Sequence, residues 1–169
     1  MDKAVRTIFW AGLIAGVLDI TGAFVLFGLR GISPMRILQS IASGLLGMHA
    51  YTGGAATAAL GGVLHFLIAF SAAAVYYAGS RRISFLTKQP ILAGLLYGPL
   101  VYAFMNGVVV PLSAMVSKHA ISARDLITGV ITLSLLVGLP ISLVVWRSSH
   151  SQADSLVTAD TTGAAIRNG

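Results

Sequence analysis

The chain has 169 residues, of which 56% are hydrophobic and 9% are charged, whereas a soluble domain has about 25% charged residues. This number of charged residues is too small to cover the surface of a globular fold in water. The composition therefore excludes an ordinary soluble domain and predicts a membrane protein. The net charge of +6 comes from basic residues scattered near the ends of apolar segments, which indicates contact with anionic lipid headgroups and no nucleic-acid-binding surface.

Four apolar segments are each long enough to cross a bilayer. They cover residues 7–29, 55–78, 91–113 and 126–146. A helix needs about 20 apolar residues to span a core roughly 30 Å thick, and a single segment satisfies its own backbone hydrogen bonds in lipid only as a helix. The sequence therefore predicts an all-α, polytopic membrane protein, a four-transmembrane-helix bundle formed by residues 1–147.

Asp19 lies near the middle of the first apolar segment, which contains no other charged residue. A carboxylate at the centre of a bilayer costs about 2.5–3.5 kcal/mol on insertion scales. Residues three, four and seven positions away share its helix face, and all of them are small: Gly12, Ala15, Gly16, Gly22 and Ala23. Because small residues let helices approach closely, we expect Asp19 to point at another helix and not at lipid.

The loop after the first segment predicts a short amphipathic helix over residues 34–46. Ser33 is a good N-cap, Pro34 suits the first helical position, and Gly47 can end the helix. At about 1.5 Å per residue this helix is roughly 20 Å long, too short to span. We expect it to lie in the interface or to enter the bundle as a re-entrant element. Its apolar and polar residues fall on opposite faces: Ile37, Leu38, Ile41 and Leu45 against Arg36, Gln39, Ser40 and Ser43.

Arg36 and Gln39 are the two longest polar side chains of this predicted helix. One interpretation places them at the mouth of a cavity in the bundle. The other makes them the wet face of an interfacial helix, and we favour it because a solvated polar face is the usual arrangement of such helices.

The second and third segments each carry one strongly polar side chain, His65 and Asn106, among small residues. Counted at about 1.5 Å per residue from the same side of the membrane, Asp19 lies roughly 18 Å deep and His65 roughly 20 Å deep. We therefore expect these two side chains to lie within hydrogen-bonding reach, directly or through one water. Asn106 is expected to make a packing hydrogen bond, and it completes the candidate intramembrane site.

Glycines are expected to mediate helix packing, either within the bundle or between copies of the chain. Two pairs form GxxxG steps, which favour close helix approach, and a third pair lies on the face of His65. These residues are Gly12 and Gly16, Gly94 and Gly98, and Gly61 and Gly62.

The basic residues favour a topology with both termini in the cytoplasm. With four spans the termini lie on one side, and that side receives more cations near membrane ends, as the positive-inside rule requires. The cations on that side are Lys3, Arg6, Arg81, Arg82, Lys88 and Arg147. Residues 148–169 lose apolar periodicity and are expected to form a disordered tail.

Two segments resemble a group of small bacterial inner-membrane proteins. "GLIAG" in the first span and "GLLYGPLVYAFMNGVVVPLS" in the third are similar to YagU-like proteins, as is the layout with "HFLIAFSAAAVYY" as the second span. The resemblance covers residues 7 to 113. It implies an integral protein of the bacterial inner membrane and supplies no catalytic residues.

Two functions remain open. The first is a small transporter or channel, a homo-oligomer, in which Asp19 binds a proton or cation and His65 relays protons near neutral pH. The second is a non-transporting membrane factor that binds lipid or another membrane protein through helix 34–46, with a structural polar seam. We expect no enzyme, because motifs such as HExxH and GxSxG are absent, and no metal or cofactor, because a ligand set is incomplete.

Overall fold

The computed structural model describes residues 2–114 and 123–150. Within these residues the protein is all-α, as the sequence predicts. The described residues form six helices, in chain order α1 (Lys3–Gly28), α2 (Pro34–Leu46), α3 (Gly54–Ser80), α4 (Phe85–Lys88), α5 (Pro90–Leu112) and α6 (Ala123–His150). A 3₁₀ turn, Gly47–Tyr51, joins α2 to α3.

Helices α1, α3, α5 and α6 are each long and apolar enough to cross a membrane. The protein is therefore a multi-pass membrane protein with four spans. The last span runs through Ser148, Ser149 and His150, where the sequence predicts the start of a disordered tail. The rest of that predicted tail, 151–169, lies outside the described residues.

The large apolar side chains of the spans point outward. Val63 is 66% exposed, Leu67 60% and Leu100 64%, a surface that favours aggregation in water but suits lipid. The buried positions are mostly alanine and glycine. Because lipid tails are as apolar as the side chains themselves, close packing of small residues is what holds such helices together.

The four spans pack in the order α3, α1, α6, α5. Between α1 and α3, a Cβ added to Gly16 would lie 2.8 Å from the Phe66 ring. Between α1 and α6, Gly22 faces the side chain of Leu136. Helices α5 and α6 are in close contact at their glycines. Helices α3 and α5 are separated by a groove.

The buried core extends to the end of the bundle where α1 begins and α6 ends. The hydroxyl oxygens of Thr7 and Ser148 are 2.7 Å apart there. Tyr76 is 1% exposed, packs edge-on against Tyr97 with ring centroids 5.0 Å apart, and donates to the Leu86 carbonyl at 3.0 Å. These contacts join α3, α4 and α5. The remaining core residues are small or branched: Ala11, Ala15, Ala73, Ala93, Val137, Ile141 and Val145.

Helices α5 and α6 each contain one π-helical turn, and each turn ends two residues before a proline. Met105–Val109 precedes Pro111, and Ser134–Gly138 precedes Pro140. A proline lacks the N–H, and its ring clashes with the carbonyl four residues earlier. A widened turn with bonds between residues five apart relieves that clash without ending the helix. Pro99, by contrast, lies within an uninterrupted α-helical stretch.

Helix α2 packs along the first half of α3. The Ser33 hydroxyl caps its N-terminus by accepting from the Arg36 N–H at 3.3 Å. Gly61 of α3 lies so close to the Leu38 carbonyl that a Cβ there would overlap it. At about 1.5 Å per residue, Gly61 lies about 10 Å into α3 from Gly54. Helix α2 therefore packs against α3 of the bundle, and its placement at the membrane interface or as a re-entrant element stays a prediction.

Candidate functional site

Asp19 lies on the face of α1 that the small-residue pattern predicts to point into the bundle. Gly16, one turn before it, would bring a Cβ within 3.2 Å of the Ala69 methyl group on α3. Gly22, one turn after it, faces Leu136 on α6. The Asp19 side chain is half-buried. It therefore faces the interior between α1, α3 and α6.

His65 of α3 forms a hydrogen bond with the backbone of α1. Its Nε2 lies 2.9 Å from the carbonyl oxygen of Gly16. A carbonyl oxygen only accepts hydrogen bonds, so Nε2 carries a hydrogen and donates it. In the neutral ring, Nδ1 is then the unprotonated nitrogen and the one that can gain a proton.

A cavity of about 210 Å³ brings Asp19 and His65 together. Among the described residues that line it, these two are the only ones that ionise. The matched depth expected from the sequence therefore corresponds to a shared cavity. Its lining comes from five helices: Ala15, Gly16, Asp19, Ile41, His65, Ile68, Ala69, Ala72, Val101, Met105, Leu133 and Val137.

The Asp19 carboxylate accepts no hydrogen bond from the part of the chain that the structure describes. The structure shows no direct hydrogen bond between Asp19 and His65, whose Nε2 donates to the Gly16 carbonyl. A contact through one water stays a prediction. Asp19 differs in this respect from Gln39 and Ser134, two buried polar side chains that both bond backbone carbonyls.

Asn106 is not brought to this cavity. It lies in the π-helical turn of α5, and its Nδ2 donates to the Tyr102 carbonyl of the same helix at 2.9 Å. The neighbouring Met105 lines the cavity in its place. The candidate site therefore consists of two polar residues and not three.

The two polar residues assigned to α2 have different environments. Arg36 is exposed, stacks its guanidinium 4.3 Å above the Tyr51 ring, and lines a separate cavity of about 270 Å³. Gln39 is only 3% exposed, and its Nε2 lies 3.0 Å from the Gly54 carbonyl and 3.5 Å from the Thr57 hydroxyl. The wet-face interpretation is therefore wrong for Gln39. Helix α2 turns this amide toward α3, where the backbone can satisfy it.

Replacing Gln39 by leucine is expected to destabilise the protein by about 1 kcal/mol, because the hydrogen bond from the Gln39 amide to the Gly54 carbonyl is lost. Thermal unfolding of the purified protein in detergent measures the effect. Gln89→Leu is the matched control, because Gln89 is exposed and its side chain caps no helix. Equal melting temperatures for the two variants would contradict the prediction.

Five of the six glycines assigned to packing lie against another helix of the same chain. Gly12 and Gly16 approach α3, Gly61 approaches α2, and Gly94 and Gly98 approach α6. A Cβ on Gly62 would meet nothing within 4 Å. Both GxxxG steps are thus used within the chain.

Sequence reasoning missed the contribution of α6 to this packing. Ser134 is 7% exposed, and its hydroxyl lies 2.8 Å from the Val130 carbonyl of α6 and 3.2 Å from the Leu95 carbonyl of α5. Gly138 lies against the backbone of Gly94. The available signal was the four-residue spacing of Ser134 and Gly138, the same small-residue step that marks the other spans.

In residues 2–114 and 123–150 there is no group of three or more His, Cys, Asp or Glu side chains that could hold a metal ion. Comparison with known proteins gives no assignment either. No family model, curated protein or solved structure matches this chain. What is shown is a membrane protein with four spans, and the resemblance to YagU-like proteins stays a prediction.

Proposed function

We propose that the protein is a small transporter or channel in which Asp19 and His65 conduct a proton or a small cation. The observation that carries the proposal is an interior carboxylate that lines a cavity and accepts no hydrogen bond from the described residues. No buried side-chain nitrogen or oxygen of the described residues lacks a hydrogen-bond partner. The Asp19 oxygens, which have none, are therefore accessible from the cavity, where a proton or cation can reach them. Intramembrane ionisable residues commonly mark ion pathways or proton relays.

Asp19 and His65 would have different roles in conduction. Asp19 supplies the negative charge that binds the proton or cation. His65 keeps its Nε2–H on the Gly16 carbonyl, so its Nδ1 exchanges protons with the cavity. Protonated His65 beside ionised Asp19 makes the site neutral overall, which lowers the cost of holding charge at this depth.

Four spans form a narrow bundle, so we propose that a second copy of the chain completes the pathway. The excess of cations at the end where α1 starts favours both termini in the cytoplasm. The membrane would be the bacterial inner membrane, as the resemblance implies. The proposal includes no catalytic chemistry.

One observation favours the alternative, a membrane factor that binds another membrane protein or lipid. Helix α2 and the turn after it expose large apolar side chains, with Leu45 62% and Met48 61% exposed. These would form the docking surface. In that case the Asp19 cavity would be unrelated to the activity.

Proton flux into liposomes with a trapped pH dye tests the proposal. The wild-type protein is expected to collapse an imposed pH gradient. Asp19→Asn is expected to reduce the flux at least about tenfold, since its amide neither ionises nor binds a cation. His65→Gln is expected to lose flux too, because glutamine can still donate to Gly16 but does not titrate.

Asn106→Leu serves as the matched control. It removes a polar side chain from the membrane region outside the cavity, so flux should persist even if the melting temperature falls. No proton flux through the wild-type protein, or unchanged flux in Asp19→Asn, would rule out proton conduction through this site. Such a result would favour the alternative, in which the surface of α2 binds a partner.

A further inference from the structure

A groove of about 760 Å³ separates α3 from α5. It begins at the level of Tyr97, where the two helices meet, and extends along them to Leu67 and Val109. Its rim is open, with Leu67 60% and Phe104 56% exposed. In a bilayer this rim faces the acyl chains, and the volume lies in the range of small-molecule pockets, about 300–1,000 Å³.

The walls of the groove offer no free hydrogen-bond donor in the part of the chain described. The Ser71 hydroxyl donates to the Leu67 carbonyl at 2.8 Å, and the Tyr97 hydroxyl donates to the Ala72 carbonyl at 2.8 Å. The other lining side chains are apolar or aromatic. An anion or a sugar would find nothing to bind along this path, whereas a hydrocarbon chain or an aromatic ring would be well solvated.

The inner side of the groove adjoins the cavity of Asp19. Four residues line both spaces: Ile68, Ala72, Val101 and Met105. An apolar body in the groove would thus place its head group against the two ionisable residues of the cavity. With His65 neutral, ionised Asp19 gives the cavity a negative charge and accepts no hydrogen bond from the described chain, so the complementary head group is a cation that takes the place of the proton on His65.

We propose that the protein binds hydrophobic cations, molecules with an apolar body in the groove between α3 and α5 and a positively charged centre at Asp19. This proposal rests on the proposed function, since it takes the same carboxylate as the transport site and names its substrate class. The bilayer itself supplies the route of access, because the rim of the groove opens toward lipid.

Binding of radiolabelled tetraphenylphosphonium to the full-length protein in mild detergent tests the proposal. Wild type is expected to bind the cation saturably. Asp19→Asn is expected to bind about tenfold more weakly, because the opposite charge is removed. Val101→Phe places a larger side chain where the groove and the cavity adjoin and is expected to weaken binding similarly.

Leu96→Phe is the matched control for Val101→Phe, because Leu96 is 57% exposed on the same helix and lines neither space. It should bind like wild type. Decanol and decanoate should not displace the bound cation, whereas decyltrimethylammonium, which has the same chain length, should. Wild type that fails to bind, full binding by Asp19→Asn, or equal displacement by all three decyl compounds would overturn the proposal.

The same samples separate this inference from the proposed function. Proton flux without binding of the cation would leave Asp19 as a proton site and refute the substrate class. Binding that depends on Asp19 without any flux would support the binding site and refute transport.

Discussion

The Gly98→Ala variant is expected to lose about 3 kcal/mol of stability, the upper end of the usual range for overpacking. A Cβ at this position would overlap the main chain of Ser134 on α6. Backbone atoms cannot rotate away as a side chain can, so α5 and α6 would have to separate. Their separation would also remove the bond between the Ser134 hydroxyl and the Leu95 carbonyl.

Thermal unfolding in detergent, followed by the loss of monodisperse protein, measures this effect. Gly107→Ala is the control in the same helix, since a Cβ there meets nothing within 4 Å. It should melt at or slightly above the wild-type temperature, because alanine favours a helix more than glycine does. Equal melting temperatures for Gly98→Ala and Gly107→Ala would contradict the close contact between α5 and α6 at Gly98.

Gly61→Ala is expected to displace α2 from the bundle while leaving the four spans assembled. The added Cβ would overlap the carbonyl group of Leu38, so α2 as a whole must move outward. We expect a loss of about 1–3 kcal/mol in the docking of this helix. Since Ile41 of α2 lines the cavity of Asp19, its departure would also open the cavity at that side.

Thiol labelling reports this displacement directly, because the chain has no cysteine. Ser43 is 4% exposed, and Ser43→Cys changes the size of its side chain little, so the thiol should react slowly with a membrane-permeant maleimide. Adding Gly61→Ala should raise the labelling rate about tenfold, as a loss of about 1.4 kcal/mol does to an opening equilibrium. Gly62→Ala, in the adjacent open position, should leave the rate unchanged. Equal rates in both double variants would show that α2 is not held at Gly61.

Gly16 contributes both to the packing of α1 against α3 and to the position of His65. Gly16 lets α3 approach α1, and that approach puts the His65 ring on the Gly16 carbonyl. The same glycine therefore positions the histidine beside the cavity. A larger residue at Gly16 would displace the ring as well as the helix.

The inward orientation of Asp19 was predictable because it depends on residues of its own helix. The run of small residues around it fixes which face can pack against a neighbour. The partner was not predictable. Whether His65 meets the carboxylate or a carbonyl depends on the rotation and relative height of two helices, and no spacing within either segment specifies these to within a hydrogen-bond length.

The environment of α2 shows the same division. Its cap, its proline and its terminal glycine predict where the helix starts and stops, since these signals act within a few residues. The prediction that Gln39 lies on a solvated face was wrong, because the sequence does not distinguish a glutamine in water from one that is hydrogen-bonded to Gly54. The close approach of Gly61 to Leu38 decides between them.

The sequence by itself determined that this is an all-α membrane protein with four spans and that an acid and a histidine lie within them, because segment length and hydropathy relative to the bilayer are local properties. Only the tertiary structure decided the order of the spans, the loss of Asn106 from the site, the burial of Gln39 and the groove between α3 and α5. Each of these depends on contacts between segments far apart in the chain. Such contacts arise from shape complementarity across helices, which composition and periodicity do not encode.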